Sequence, residues 1–134
     1  MNKIIIDGTD AVLGRLSAFS AKQALLGKEV IIVNCLKVVI TGARKMIIGN
    51  YKELVERGGH SLKGPFWTKR DASRLVKRTI RGMLDYKYAR GESALKRIMC
   101  YNGVPKEFEN EKKISIKTPE IRKTYKLKEL AKEL

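Results

Sequence analysis

The sequence predicts an α/β domain organised on a parallel sheet, and three observations carry that reading. Two short runs, KIIID at 3–7 and VIIV at 30–33, are apolar on both faces, as strands buried between layers are. The stretch between them, 13–26, spaces its apolar residues as a helix does. Strand, helix and strand in that order make a βαβ unit, whose natural home is a parallel sheet.

Each element has its own justification. KIIID is broken by Gly8 and Thr9, after which Leu13, Leu16, Ala18, Phe19, Ala21, Ala24 and Leu25 recur at helical spacing. Gly27 stands where a helix C-cap is expected. A third apolar run, VVIT at 38–41, follows the second after only Asn34, Cys35, Leu36 and Lys37. So short a link favours a hairpin, because parallel neighbours need a crossover of about a dozen residues. On residue grounds alone the direction of this strand stays open. Ile47, Ile48, Tyr51, Leu54 and Val55 give a second helix over 44–57, ended by Gly58-Gly59. GGHSLKGPFWT at 58–68 is loop-like and holds the only His and Trp.

The stretch 71–83 is the most informative. Wound as a helix, it gathers Ala72, Leu75, Val76, Thr79, Ile80 and Met83 on one side. Arg70, Arg74, Lys77, Arg78 and Arg81 form a band on the other, with no acid among them. Asp71 sits at the N-terminal end, where it suits an N-cap or the first turn. A helix pinned by one stripe and purely cationic on the other faces something anionic. DYKYAR at 85–90 then reads as a basic loop, and 92–97 as the start of a helix with Ala94, Leu95 and Ile98 inward. Residues 99–101 offer a fourth strand, closed by Asn102-Gly103 and Pro105. Beyond it, FENEKKISIKTPEIRKTYK alternates charge with little periodicity, and Leu127, Leu130, Ala131 and Leu134 close the chain as a short amphipathic helix. The expected organisation is an α/β core domain over 1–105 and an extended C-terminal arm over 106–134 that ends in this short helix.

Composition narrows the function. A chain of 134 residues, 43% hydrophobic, is long enough to bury roughly two-thirds of its unfolded surface in one domain. Net charge is +15, and residues 57–97 hold 12 basic residues against 3 acidic, which is +9 of that total. Such a localised excess points to a polyanion, most commonly nucleic acid. Candidate nucleic-acid-contacting residues are Arg57, His60, Lys63, Lys69 and Arg70 in and beside the ring-bearing loop, and Arg74, Lys77, Arg78 and Arg81 on the helix. Lys87, Tyr88, Arg90, Lys96 and Arg97 extend the set beyond it. Rings are available for stacking and amines for phosphate. Phe66 and Trp67 have a competing reading as core residues.

Other classes find little support. No apolar run approaches the 18 residues of a membrane span, and the basic helix lacks an insertion face. The start of the chain, with its three-isoleucine run, is too short for a signal peptide. Cys35 and Cys100 are isolated, which suits two buried reduced thiols in a cytosolic protein. DGTDAVLGR at 7–15 lies where a nucleotide fold places its phosphate loop. It matches neither glycine-rich pattern, however, and brings two carboxylates to the spot. Here Asp7 or Asp10 is expected to satisfy backbone N–H groups at the start of the 13–26 helix, and Gly14 to let that helix approach the sheet. No metal, cofactor or catalytic constellation is expected, and the chain does not read as an enzyme.

These motifs resemble a known family. IDGTDAVLGRLSAFSAKQALLGKEVIIVNCLKVVITG at 6–42, with L-G-R-L at 13–16 followed by V-N-x-x-K and T-G, is similar to the opening of the large-subunit ribosomal protein L13 (uL13) family. GPFWTKRDASRLVKRTIRGML at 64–84 and RGESALKRIMCYNGVP at 90–105 resemble its archaeal and eukaryotic branch, and so does the terminal helix. Asp85 departs, standing where the family commonly has proline. The resemblance implies a three-layer α/β/α domain around a four-stranded parallel sheet of order 3-2-1-4, with the run at 38–41 as the third strand, parallel to its neighbour. It also implies a structural constituent of the cytoplasmic ribosome, a ribonucleoprotein component serving translation. Its partners would be large-subunit ribosomal RNA and neighbouring ribosomal proteins, with no membrane and no homo-oligomer. A free RNA-binding translational regulator is the alternative, and a nucleotide-using enzyme on the same layers the third reading.

Overall fold

The computed structural model describes residues 2–56, 71–116 and 124–133. Its centre is a four-stranded parallel sheet. β1 (Lys3–Asp7) and β2 (Glu29–Val33) pair along their full length, Lys3 opposite Glu29 and Asp7 opposite Val33. α1 (Leu13–Leu25) makes the crossover between them, as the βαβ reading requires. Gly27, at φ 94°, ends the helix in the left-handed region that favours glycine.

The outer strands are not the ones expected. β3 (Val39–Thr41) leaves the sheet and pairs antiparallel with β6 (Thr124–Lys126), touching Val12 by one isolated parallel bridge. The reason lies in the link. Asn34 takes a left-handed φ of 57°, and Cys35–Lys37 coil into a single 3₁₀ turn, so the chain veers off as it leaves β2. The place beside β2 goes instead to β4 (Ile98–Cys100), with Val30 opposite Ile98 and Ile32 opposite Cys100. The place beside β1 goes to β5 (Ile114–Ser115). Counted within the sheet, the order still reads 3-2-1-4, but different segments occupy positions 3 and 4.

Period-2 alternation splits the sheet residues between two apolar clusters. Ile6, Val30, Ile32 and Ile98 join the larger one, with Leu13, Leu16, Ala21 and Ala24 of α1. It continues through Ile47 of α2 (Arg44–Glu56), Leu75, Val76 and Ile80 of α3 (Ala72–Gly82), and Ala94 of α4 (Ala89–Lys96). Tyr125, Leu127 and Leu130, from β6 and α5 (Leu127–Glu133), belong to the same cluster, and Leu127 N–H donates to Val38 O at 2.9 Å. On the opposite face Ile5, Ile31 and Val33 pack with Phe108, Tyr101 and Val104.

α4 begins at Ala89, three residues earlier than its apolar spacing predicts. Gly91 makes that possible: it is buried, and a Cβ there would collide with the backbone carbonyl of Asp85. Gly14, expected to mediate a close approach, is exposed with open space around it. The tight glycine of this region is Gly8, where a Cβ would lie 2.8 Å from a methyl of Val38 and 3.0 Å from Val33 O.

Candidate nucleic-acid interface

α3 owes its position to both of its faces and to its capped start. Ala72, Leu75, Val76 and Ile80 are buried, which fixes the helix against the core and turns the cationic band outward. Two predicted inward residues do not follow. Thr79 is half-buried and donates to Leu75 O at 3.0 Å, while Met83 lies past the last turn and is 45% exposed. Asp71 is the N-cap: its Oδ1 accepts from Ser73 N–H at 3.1 Å and from Ser73 Oγ at 2.7 Å. Asn102, from the turn after β4, adds a second cap. Its Oδ1 accepts from the same Ser73 N–H at 3.0 Å, and its Nδ2 donates to Asp71 Oδ1 at 3.3 Å. The Ser73 N–H in the first turn of this helix is thereby satisfied from within the protein.

Four members of the band, Arg74, Lys77, Arg78 and Arg81, lie on described residues of α3. Arg74 is exposed, with Nε 3.5 Å from Asp71 Oδ2, and Lys77, Arg78 and Arg81 are half-buried. Arg81 lies over the ring of Tyr86, 4.1 Å from its centroid, a cation–π contact that favours this orientation of the guanidinium. Tyr51 of α2 stands by Thr79 and Arg78. Burial raises its phenol pKa, outweighing the hydrogen bond with Thr79 and the charge of Arg78.

Arg74, Lys77, Arg78 and Arg81 line one wall of a cleft of ≈ 420 Å³, together with Ser73. The rest of its lining is Leu95 of α4 with Met99 and Cys100 of β4. The pattern of cations was legible in the sequence; their nearness to Leu95 and β4 was not. Alternation in Ile98-Met99-Cys100 buries Ile98 fully and leaves Met99, paired with Ile31, on the other face of the sheet and 46% exposed. Cys35 is buried beneath, its thiol pKa pushed up by a hydrogen bond with the Cys100 thiol and by burial. Of the two cysteines read as buried, only Cys35 is; Cys100 is half-buried at the cleft.

The remaining candidates are spread along one flank. Lys87 and Tyr88 occupy the turn between α3 and α4, with Tyr88 72% exposed. Arg90 opens α4 beside a second hollow lined by Lys22, Leu25, Leu26 and Met83. Lys96 is exposed and 3.5 Å from Glu92. Arg97 is placed differently: its Nη1 donates to Ala24 O at 2.9 Å, tying the start of β4 to the end of α1. Arg57, His60, Lys63, Lys69 and Arg70, and with them Phe66 and Trp67, lie outside the described residues.

The acidic turn after β1 also works otherwise than expected. Asp7 Oδ1 accepts from Thr9 N–H at 3.0 Å, Thr9 Oγ1 at 2.7 Å and Asn34 Nδ2 at 3.0 Å. It therefore pins the turn to the end of β2, while α1 has Val12 as its N-cap residue and no side-chain cap. Asp10 adopts a left-handed φ of 56°. Partial burial raises the Asp7 pKa, but the bonds from Asn34 and Thr9 and the charge of Lys37 outweigh it and leave the carboxyl below its ordinary value. Asp71 behaves alike: burial raises its pKa, and Ser73, Asn102 and Arg74 bring it down further.

Among the described residues, no group of three or more His, Cys, Asp or Glu could hold a metal ion, and no helix is long and apolar enough to cross a membrane. The fold and this surface together define a small α/β protein whose distinctive feature is a cationic face carried on a core-docked helix. The chain belongs to the ribosomal protein L13 family: the family model described as "Ribosomal protein L13" matches residues 1–107. It is 44% identical over 119 residues to the large ribosomal subunit protein uL13 of Methanosarcina barkeri, covering 88% of this chain and 84% of the relative. The uL13 of Thermoplasma volcanium is 43% identical over 133 residues, 97% of this chain and 96% of the relative. That of Picrophilus torridus is 45% identical over 107 residues, 80% and 76%. The family is one of structural ribosomal proteins, not of enzymes.

Proposed function

We propose that this protein is a structural constituent of the large ribosomal subunit in the cytoplasm, where it binds and organises ribosomal RNA. The observation that carries the RNA contact is the α3 face: Arg74, Lys77, Arg78 and Arg81 on the side opposite to the buried Leu75, Val76 and Ile80. Phosphate contacts by Lys and Arg supply affinity and register without reading sequence, which suits a protein that clamps RNA and does no chemistry. Lys87, Tyr88, Arg90 and Lys96 extend the same flank, and Arg97 supports it from behind. Arg57, His60, Lys63, Lys69 and Arg70 are further RNA contacts in this proposal. Neighbouring ribosomal proteins are the other partners, and the chain acts as a single copy without membrane attachment.

Sucrose-gradient sedimentation of a lysate, probed for this chain, tests the assignment. Comigration with large subunits through a high-salt wash is the expected result. Confinement to the light fractions would overturn it in favour of a free RNA-binding protein.

A further inference from the structure

The two cysteines of the chain are far apart in sequence and come together where β2 gives way to the 3₁₀ turn. Cys100 lies opposite Ile32 in the β2–β4 register, so its side chain faces the larger cluster, the side on which α3 packs. Cys35 follows Ile32 by three residues, and the turn brings it back onto the end of β4. Its N–H donates to Tyr101 O at 3.1 Å, and Tyr101 N–H donates to Ile32 O at 2.8 Å. The Cys35 side chain enters the same cluster, with Sγ 3.9 Å from Ile32 O, and the two thiols hydrogen-bond to each other. They differ in access. Cys35 is fully buried, whereas Cys100 is half-buried and shares a surface hollow with Ser73, Arg74, Lys77 and Arg78.

Two thiols in contact, one reachable and one enclosed, are arranged as an attacking and a resolving cysteine. We propose that Cys35 and Cys100 form a reversible disulfide site, entered through Cys100 by a small-molecule disulfide and closed by Cys35. Cys100, its proton given to water, attacks one sulfur of the reagent. The reagent's S–S bond breaks, one thiolate leaves and takes up a proton, and Cys100 carries a mixed disulfide. Cys35 then attacks the Cys100 sulfur, and the second thiol leaves with the proton that Cys35 gives up. The protein loses two hydrogens and two electrons, and the reagent gains both. Access sets the order. A hydrogen bond with the Cys100 thiol and burial also push the Cys35 pKa up, which disfavours Cys35 as first attacker. Arg74, Lys77 and Arg78 at the hollow draw an anionic reagent towards Cys100. In a reducing compartment the pair rests as two thiols and closes under oxidation. The bond fastens the turn after β2 to β4, two residues before Asn102, whose side chain caps α3.

The test takes the full chain, reduced, and incubates it without denaturant with oxidised glutathione; intact mass is read under non-reducing conditions. A monomer lighter by two hydrogens is expected, with a peptide map that joins the Cys35 and Cys100 peptides. Dithiothreitol should restore the starting mass. Cys35→Ala should stop at the mixed disulfide, with a single glutathione per chain, and Cys100→Ser should take up none; thermal melting checks that both variants are folded. A wild-type chain that stays unmodified, keeps a stable glutathione adduct or links only to other chains overturns the proposal, whatever the variants do. So does a bond that forms only in urea, since the native geometry would then not bring the thiols together. Folded Cys100→Ser that acquires glutathione at Cys35 would overturn the entry through Cys100.

Discussion

Asp7 and Asp71 do the same work at two turns that are far apart in the chain. Each carboxylate accepts from one backbone N–H and one side-chain amide, of Thr9 and Asn34 in one case and of Ser73 and Asn102 in the other. Each is held below its ordinary pKa of 3.8, against the opposing effect of burial. The folded state therefore binds fewer protons than the unfolded chain in the region around and below that value. Both groups contribute their full stabilisation above the unfolded pKa and lose it as pH falls through the lower folded one. Urea midpoints measured from pH 7 down to about 3 should decline at the acid end. The Asp7→Asn, Asp71→Asn double variant should start less stable and show a shallower acid decline. An equally steep decline would mean that neither carboxylate is responsible.

At the scale of the element, α3 is the test of the whole reading, since its two faces carry opposite assignments. Val76 is fully buried. Val76→Asp places an unpaired charge in the core and should cost several kcal/mol, a large part of a small domain's stability. Thermal melting checks this, and an unmoved midpoint would mean the faces are reversed. On the outer face, replacing Arg74, Lys77, Arg78 or Arg81 by alanine should weaken binding to a ribosomal RNA fragment and reduce the log–log salt slope by roughly one unit each. A quadruple variant that keeps the wild-type slope would leave the band as an ordinary solvated surface. Arg97 makes a contrast within the same set of residues. Its guanidinium is engaged with Ala24 O, so its removal should register in stability more than in salt dependence.

Across the whole molecule, the C-terminal segment closes back on the first third of the chain. β6 pairs with β3, Leu127 N–H donates to Val38 O, and Leu130 is fully buried in the larger cluster with α3 and α1 residues. Leu130→Ala should cost about 2–5 kcal/mol, as for other buried leucines. Urea denaturation should show one cooperative transition moved to lower concentration. A separate early transition, with the rest unchanged, would mean that the terminal helix contributes little to the common core.

What the sequence determined on its own was everything with a local period. The apolar runs of β1 and β2, the helix between them, the capped and two-faced α3 and the terminal helix all show within a few residues of chain. Spacings of 2 and 3.6 are written locally. The family motifs were legible for the same reason. The tertiary structure decided which segments meet. It put Ile98–Cys100 and the two-residue Ile114–Ser115 beside β2 and β1, sent Val39–Thr41 to Thr124–Lys126, and set Asn102 on the start of α3. It also brought Leu95 and Cys100 beside the cations of α3. None of these pairings has a period. Each depends on a backbone turn elsewhere, such as the left-handed Asn34, and on partners distant in the sequence, so the residues reveal them only once the chain has closed around its core.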